Sequence, residues 1–153
     1  MTDLTDGAAL DVILGDTRFP LDVRFPSDLR YIERVVGAVS RNCAALSFSD
    51  RVCNLQIPVA LSEALSNAIL YGNGEDVSKR VRLRAKVDDR SLVLEVADEG
   101  KGFDLEACTS DPTSPENLER EDGRGLFLMR RLMDRVERFT DNGNVVRLTL
   151  LRT

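Results

Sequence analysis

Apolar residues along this chain fall into two alternating spacings. Between Arg18 and Phe25, Leu21, Val23 and Phe25 alternate with polar neighbours, the two-residue period of a strand with one buried face. Pro26-Ser27-Asp28 then offers a helix N-cap, and Leu29, Ile32, Val35, Val36 and Val39 come next at helical spacing, predicting a helix that ends near Cys43 or Leu46. Ser47-Phe-Ser-Asp50 is a second cap-like cluster. Beyond it Val52, Leu55, Ile57, Leu61, Ala64, Leu65, Ala68 and Ile69 predict a long helix from Asp50 to about Tyr71. Pro58 should kink or split that helix, because proline lacks a backbone donor and crowds the preceding turn. Gly72-Asn-Gly74 reads as its left-handed stop.

Period two returns at Arg80–Val87, with Val81, Leu83, Ala85 and Val87 on one face, and at Ser91–Asp98, with Leu92, Leu94 and Val96; Asp88-Asp89 is the turn between them. Residues 104–122 carry Pro112, Pro115, several acids and little apolar content, which predicts a lid or a disordered insertion. Gly125 is expected to open a helix whose core stripe is Leu126, Met129, Leu132, Met133 and Val136. Strands near 136–140 and 145–151 flank Asp141-Asn-Gly143-Asn. The order β-α-α-β-β-lid-α-β-β predicts an α+β fold, a two-layer α/β sandwich with helices on one face of a mixed, mainly antiparallel sheet. Residues 1–18 lack sustained periodicity and read as a tail or a marginal extra strand. Residues 19–153 read as a single domain without internal repeats.

Composition narrows the chemistry. A hydrophobic fraction of 42% and a charged fraction of 31% suit a globular domain, and no apolar run nears the ~20 residues of a membrane-spanning helix. Acid rather than Lys or Arg near Met1 argues against a secretory signal, so the expected location is cytoplasmic. Cys43, Cys53 and Cys108 have neither disulfide-framework nor zinc spacing and read as idle thiols. The chain contains no histidine, which excludes Ser-His-Asp triads, histidine metal sites and phosphohistidine on this polypeptide. A net charge of −5 argues against nucleic acid as the main ligand and favours a protein partner, or a nucleotide held by metal and local dipoles.

Three segments carry candidate chemistry. Glu63 and Asn67 lie four residues apart and therefore on one helix face. There the amide oxygen suits Mg²⁺ and the carboxylate suits proton acceptance from a hydroxyl or water. An ordinary polar helix face with Asn near its end accounts for the same pair. Asp98 closes a strand ahead of Gly100 and Gly102, so its carboxylate could accept from an exocyclic amine such as that of adenine; a simple strand-to-loop turn has the same residues. Gly123-Arg124-Gly125-Leu126 stands before an amphipathic helix, where free amides and the helix dipole favour phosphate. Arg124 either adds charge there or is simply solvated.

In this order the segments resemble the N, G1 and G2 boxes of the GHKL ATPase superfamily, in which an E-x-x-x-N helix, a D-x-G-x-G turn and a G-x-G-L helix start surround ATP. Tyr71-Gly-Asn after the N box and Gly123-Arg-Gly-Leu-Phe-Leu-Met-Arg-Arg-Leu-Met-Asp134 resemble the bacterial anti-sigma-factor serine-protein kinases of the RsbW/SpoIIAB type, over roughly residues 20 to 151. The resemblance implies the histidine-kinase-like (Bergerat) ATPase fold with ATP and Mg²⁺ as cofactors. It makes Glu63 the general base, Asn67 the Mg²⁺ ligand and Asp98 the adenine reader, with Gly100, Gly102, Gly123 and Gly125 shaping the pocket. It also implies phosphorylation of an anti-anti-sigma (STAS-type) partner, sequestration of a sigma factor, and a homodimer through the first strand and helix. Tyr71 departs from the histidine that many relatives carry there.

Two further readings compete. One is a nucleotide-sensing binding module with little or no kinase activity, for which the Arg80/Arg82/Arg84/Lys86 stripe offers a surface to an acidic partner. The other is a nucleotide hydrolase, or a histidine-kinase catalytic domain acting on another chain; the compact region before Glu63 leaves no room for a dimerisation-and-phosphoacceptor domain.

Overall fold

A computed structural model of the chain describes residues 2–3, 18–100 and 121–152, with side chains over 18–100 and 125–152. The expected lid up to residue 120, Gly102 and Cys108 lie outside the described residues, as do residues 4–17 of the expected tail. Thr2–Asp3, at its start, form a short strand β1 that pairs parallel with Val23 and Arg24.

The first strand of the domain, β2, runs over Leu21–Pro26, somewhat later than the alternation from Arg18 suggested, and buries Leu21, Val23 and Phe25. Asp28 caps the next element by accepting from the Arg30 amide at 2.9 Å, and a tight 3₁₀ turn at Leu29–Tyr31 leads into α1, Ile32–Ala45. Val35, Val36, Ala38, Val39 and Cys43 form the buried stripe of α1.

The second helical run begins at Asp50, with Ser49 Oγ accepting from the Val52 amide at 3.3 Å. Pro58 neither kinks the middle of this run nor splits it. A wide π-type turn over Val52–Gln56 comes first, and the regular helix α2, Ile57–Asn67, starts with proline in its opening turn. Here the missing N–H costs little, because a first-turn amide has no carbonyl to bond within the regular turn. A second π-type turn, Ala68–Gly72, ends the run.

Strands β3 (Arg80–Val87) and β4 (Ser91–Ala97) form a hairpin whose turn is held by Asp88 Oδ1, accepting from the Arg90 and Ser91 amides at 2.7 and 2.8 Å. Helix α3 spans Glu121–Leu132, followed by β5 (Arg135–Thr140) and β6 (Asn144–Leu151). The sheet order is β1-β2-β3-β4-β6-β5, antiparallel throughout except at β1.

One sheet face presents Leu21, Val23, Phe25, Leu83, Leu94 and Leu148 to the helices; all are essentially inaccessible to solvent and belong to a single core with α1, α2 and α3. The result is an α+β sandwich with its described helices on one side. Gln56 Nε2 donates to the carbonyl of Leu132 at 2.7 Å, so the π-type turn also satisfies the end of α3. Cys43 and Cys53 are free and buried, and burial pushes the Cys43 thiol up to about 12.

Candidate functional site

Leu61, Ala64, Leu65 and Ala68 pack into the core, and Glu63 and Asn67 stand on a different side of α2. The partner across from them is α3. A methyl group added at Gly125 would stand 2.7 Å from Glu63 Oε2 and 3.1 Å from Asn67 Nδ2, so the two helices touch here only because residue 125 has no side chain. Asn67 is 9% exposed, and its Oδ1 is buried without a hydrogen-bond donor. A buried amide oxygen left unpaired costs about 1–3 kcal/mol, which a ligand at that oxygen recovers.

The expectation that Gly125 opens α3 is corrected. The helix is already formed at Glu121, two residues inside the expected lid boundary, and Gly125 lies within it. Glycine in a helix interior costs about 1 kcal/mol relative to alanine. It is accommodated at residue 125 because any larger residue would displace Glu63 and Asn67. Gly123 and the backbone of Arg124 fall in the first turn of this helix, and Leu126 is buried in the core beside Gly125. The Arg124 side chain lies outside the described residues.

Asp98 is joined to this pair through the end of the same helical run. Gly72 follows Asn67 by five residues, about 7–8 Å along a helix axis, and a side chain at residue 72 would collide with the Asp98 carboxylate. Asp98 is 7% exposed. Its Oδ1 accepts from the Gly100 amide at 2.8 Å and from Asn144 Nδ2 at 3.0 Å, while Oδ2 lies beside Gly72. Burial raises the Asp98 pKa above the ordinary carboxylate value, opposed by the Gly100 and Asn144 hydrogen bonds and by the charge of Arg138.

Several residues that build this site give no chemical signal in the sequence. Asn73 is 2% exposed; its Nδ2 donates to Ser27 Oγ at 2.8 Å and to the Arg80 carbonyl at 2.9 Å, and its Oδ1 accepts from the Glu99 amide at 2.8 Å. It therefore ties β2, β3 and the Asp98 turn to the end of the α2 run. Asn144 reaches Asp98 from the β5–β6 turn, where Gly143 adopts φ +138° and leaves no room for a side chain against the Asp98 carbonyl. Gly72-Asn73 and Gly143-Asn144 are both Gly-Asn pairs in turns, and in sequence the turn alone explains them. Tyr71 is 42% exposed.

The arrangement fits a nucleotide and one hard cation. Asn67 Oδ1 is an unpaired oxygen that could hold a cation, Glu63 a neighbouring carboxylate, and Asp98 a carboxylate at a glycine-lined wall. Mg²⁺ takes few protein ligands when phosphates complete its shell. Among the described residues no helix is long and apolar enough to cross a membrane.

Comparison with known proteins points the same way. Residues 25–150 match the family model for the histidine kinase-like ATPase domain. The serine-protein kinase RsbW of Bacillus subtilis is 30% identical over 135 residues, covering 84% of this chain and 83% of that protein. The anti-sigma F factor of Clostridium acetobutylicum is 33% identical over 96 residues, covering 61% of this chain and 66% of that protein. Among solved structures, the catalytic domain of the histidine kinase ThkA superposes with a TM-score of 0.56 at 15% identity, covering 87% of this chain and 97% of that one, a likeness of fold.

Proposed function

This chain belongs to the histidine kinase-like ATPase family, in its group of RsbW-type anti-sigma-factor serine kinases, and from that premise we propose that it is an ATP-dependent serine/threonine protein kinase and anti-sigma factor. Its substrate in this reading is a STAS-type anti-anti-sigma protein, and its captive a sigma factor. Mg²⁺-ATP supplies the phosphoryl group. The observation that carries the proposal is the pairing of Asn67 Oδ1, buried without a donor, with Glu63 one helical turn earlier on the same face.

Each residue has one task. Asn67 offers its amide oxygen to the cation, Asp98 accepts from the adenine amine through Oδ2, and Gly125 keeps the space at Glu63 open. Glu63 takes the proton of the attacking seryl or threonyl hydroxyl. Phosphoryl transfer depends chiefly on positioning and charge neutralisation, so one metal ligand and one base suffice on the protein side. Gly100 and Gly123 belong to the pocket walls, with Gly102 and Arg124 assigned to them on the resemblance. A cytoplasmic homodimer paired through its first strand and helix completes the reading.

The test is phosphoryl transfer from labelled ATP to the host's STAS-type protein, with Glu63→Gln beside the parent. The proposal expects a labelled serine or threonine with the parent, and ATP binding without transfer in the variant. Capture of the partner with no label in the parent would favour the binding-module reading, and full transfer by Glu63→Gln would remove Glu63 as the base.

A further inference from the structure

The face of the sheet turned away from the helices carries a charge opposite to that of the chain. Register places Arg24, Arg80, Arg82, Arg84 and Lys86 on this face of β2 and β3, with Asp22 and Glu95 among them, and no described helix packs over it. Along these strands five cations thus face two carboxylates, with Asp98, Glu99 and Asp141 gathered at one end, on a polypeptide whose net charge is −5. Segregation on this scale gives the face its own positive potential despite the acidic whole.

The two carboxylates orient the arginines and leave the excess charge in place. Asp22 takes Arg82 in a two-point bond at 2.9 and 2.6 Å, and Glu95 takes Arg84 at 3.0 Å and Arg147 at 3.0 Å. A guanidinium carries five N–H donors, more than the two that Arg82 gives to Asp22 and the one that Arg84 gives to Glu95. Arg82 and Arg84 side chains remain 40% and 49% exposed. At one end of the stripe Arg24, Arg80 and Arg82 line a cavity of about 270 Å³ together with Asp98, Glu99 and Asp141, and Arg24 Nε in its wall is buried without an acceptor.

We propose that this helix-free sheet face is a docking surface for an acidic protein segment, whose carboxylates meet the Arg82/Arg84/Lys86 row. Alternate residues of a strand repeat every ~6.5–7 Å, which matches carboxylates at alternate positions of an extended segment. The carboxylates already on the face break its field into separate sites. That suits discrete side-chain carboxylates better than the unbroken charge of a phosphate backbone. Arg84 and Lys86 stand apart from the nucleotide chemistry, because neither lines the cavity that Asp98 shares with Arg24, Arg80 and Arg82.

The probe is a fluorescein-labelled ten-residue peptide of alternating Glu and Val, read by fluorescence anisotropy against the full chain, with a Lys-Val peptide as control. The acidic peptide is expected to bind, to lose about tenfold in affinity between 50 and 300 mM salt, and to lose about tenfold or more in an Arg84→Glu/Lys86→Glu variant. Arg84→Gln/Lys86→Gln should fall between, with ATP affinity unchanged in both variants. Equal peptide binding by parent and charge-reversed chains would overturn the proposal, as would failure of the acidic peptide to bind. Tighter binding of a ten-nucleotide single-stranded DNA would also overturn it. So would a homodimer that dissociates on charge reversal without any peptide binding, since the face would then be a self-interface.

Discussion

Gly125 and Glu63 meet so closely that a single methyl group at residue 125 would stand 2.7 Å from Glu63 Oε2. That contact joins two segments 62 positions apart and makes the α2–α3 approach a condition for the site. Gly125→Ala is accordingly expected to weaken ATP binding by about tenfold or more, since the methyl must push Glu63 and Asn67 from their places. Helix propensity alone would favour alanine by about 1 kcal/mol. Calorimetric titration with ATP and a thermal melt separate the two effects, and unchanged affinity in a normally folded variant contradicts the packing argument.

Asp98 links nucleotide recognition to pH. Burial raises its folded pKa above the unfolded value, so the folded state holds this proton more tightly. Its contribution is most favourable below the unfolded pKa, near 3.8, and declines as pH rises through the window up to the folded pKa. Asp98→Asn removes that burden, and its amide oxygen still accepts from Gly100 and Asn144. At pH 7 the variant should melt at the same temperature as the parent or higher, with the difference narrowing toward pH 4. Its ATP affinity should fall by about 10–100-fold, the equivalent of one charge-assisted hydrogen bond. A lower melting temperature at pH 7, or unaltered affinity, contradicts the assignment.

Asn73 is the tie between β2, β3 and the Asp98 turn, through three hydrogen bonds near 2.8–2.9 Å. Asn73→Ala leaves the Glu99 amide and the Arg80 carbonyl without that partner and should cost about 2–4 kcal/mol in a denaturant melt. Amide exchange should accelerate at Glu99 and Gly100 more than at the centre of β4. Uniform acceleration along β4 would show a global loss of stability in place of a local tie.

How much of this is legible in sequence depends on the range of each signal. The strands at Arg80–Val87 and Ser91–Ala97 are readable because one sheet face is buried and the other solvated, which writes a two-residue period directly into the chain. Glu63 and Asn67 are readable because helical spacing places them on one face. The wide turn at Val52–Gln56 is not, since an extra residue per turn leaves no mark beyond Pro58. The early start of α3 is hidden because Gly125 looks like an entrance until its contact with Glu63 is seen. Asn144 and Asn73 look like plain turn residues because the groups they bind lie 26 and 46 positions away in sequence.

Asn67 carries the central claim, because its Oδ1 is an acceptor that the fold buries and leaves unpaired. The direct measurement is ATP affinity of the parent and of Asn67→Ala, each with Mg²⁺ and with a chelator. The parent should bind about tenfold or more tightly with Mg²⁺, and Asn67→Ala should lose that enhancement while keeping its metal-free affinity. An Asn67→Ala variant that retains the full Mg²⁺ enhancement would contradict the account.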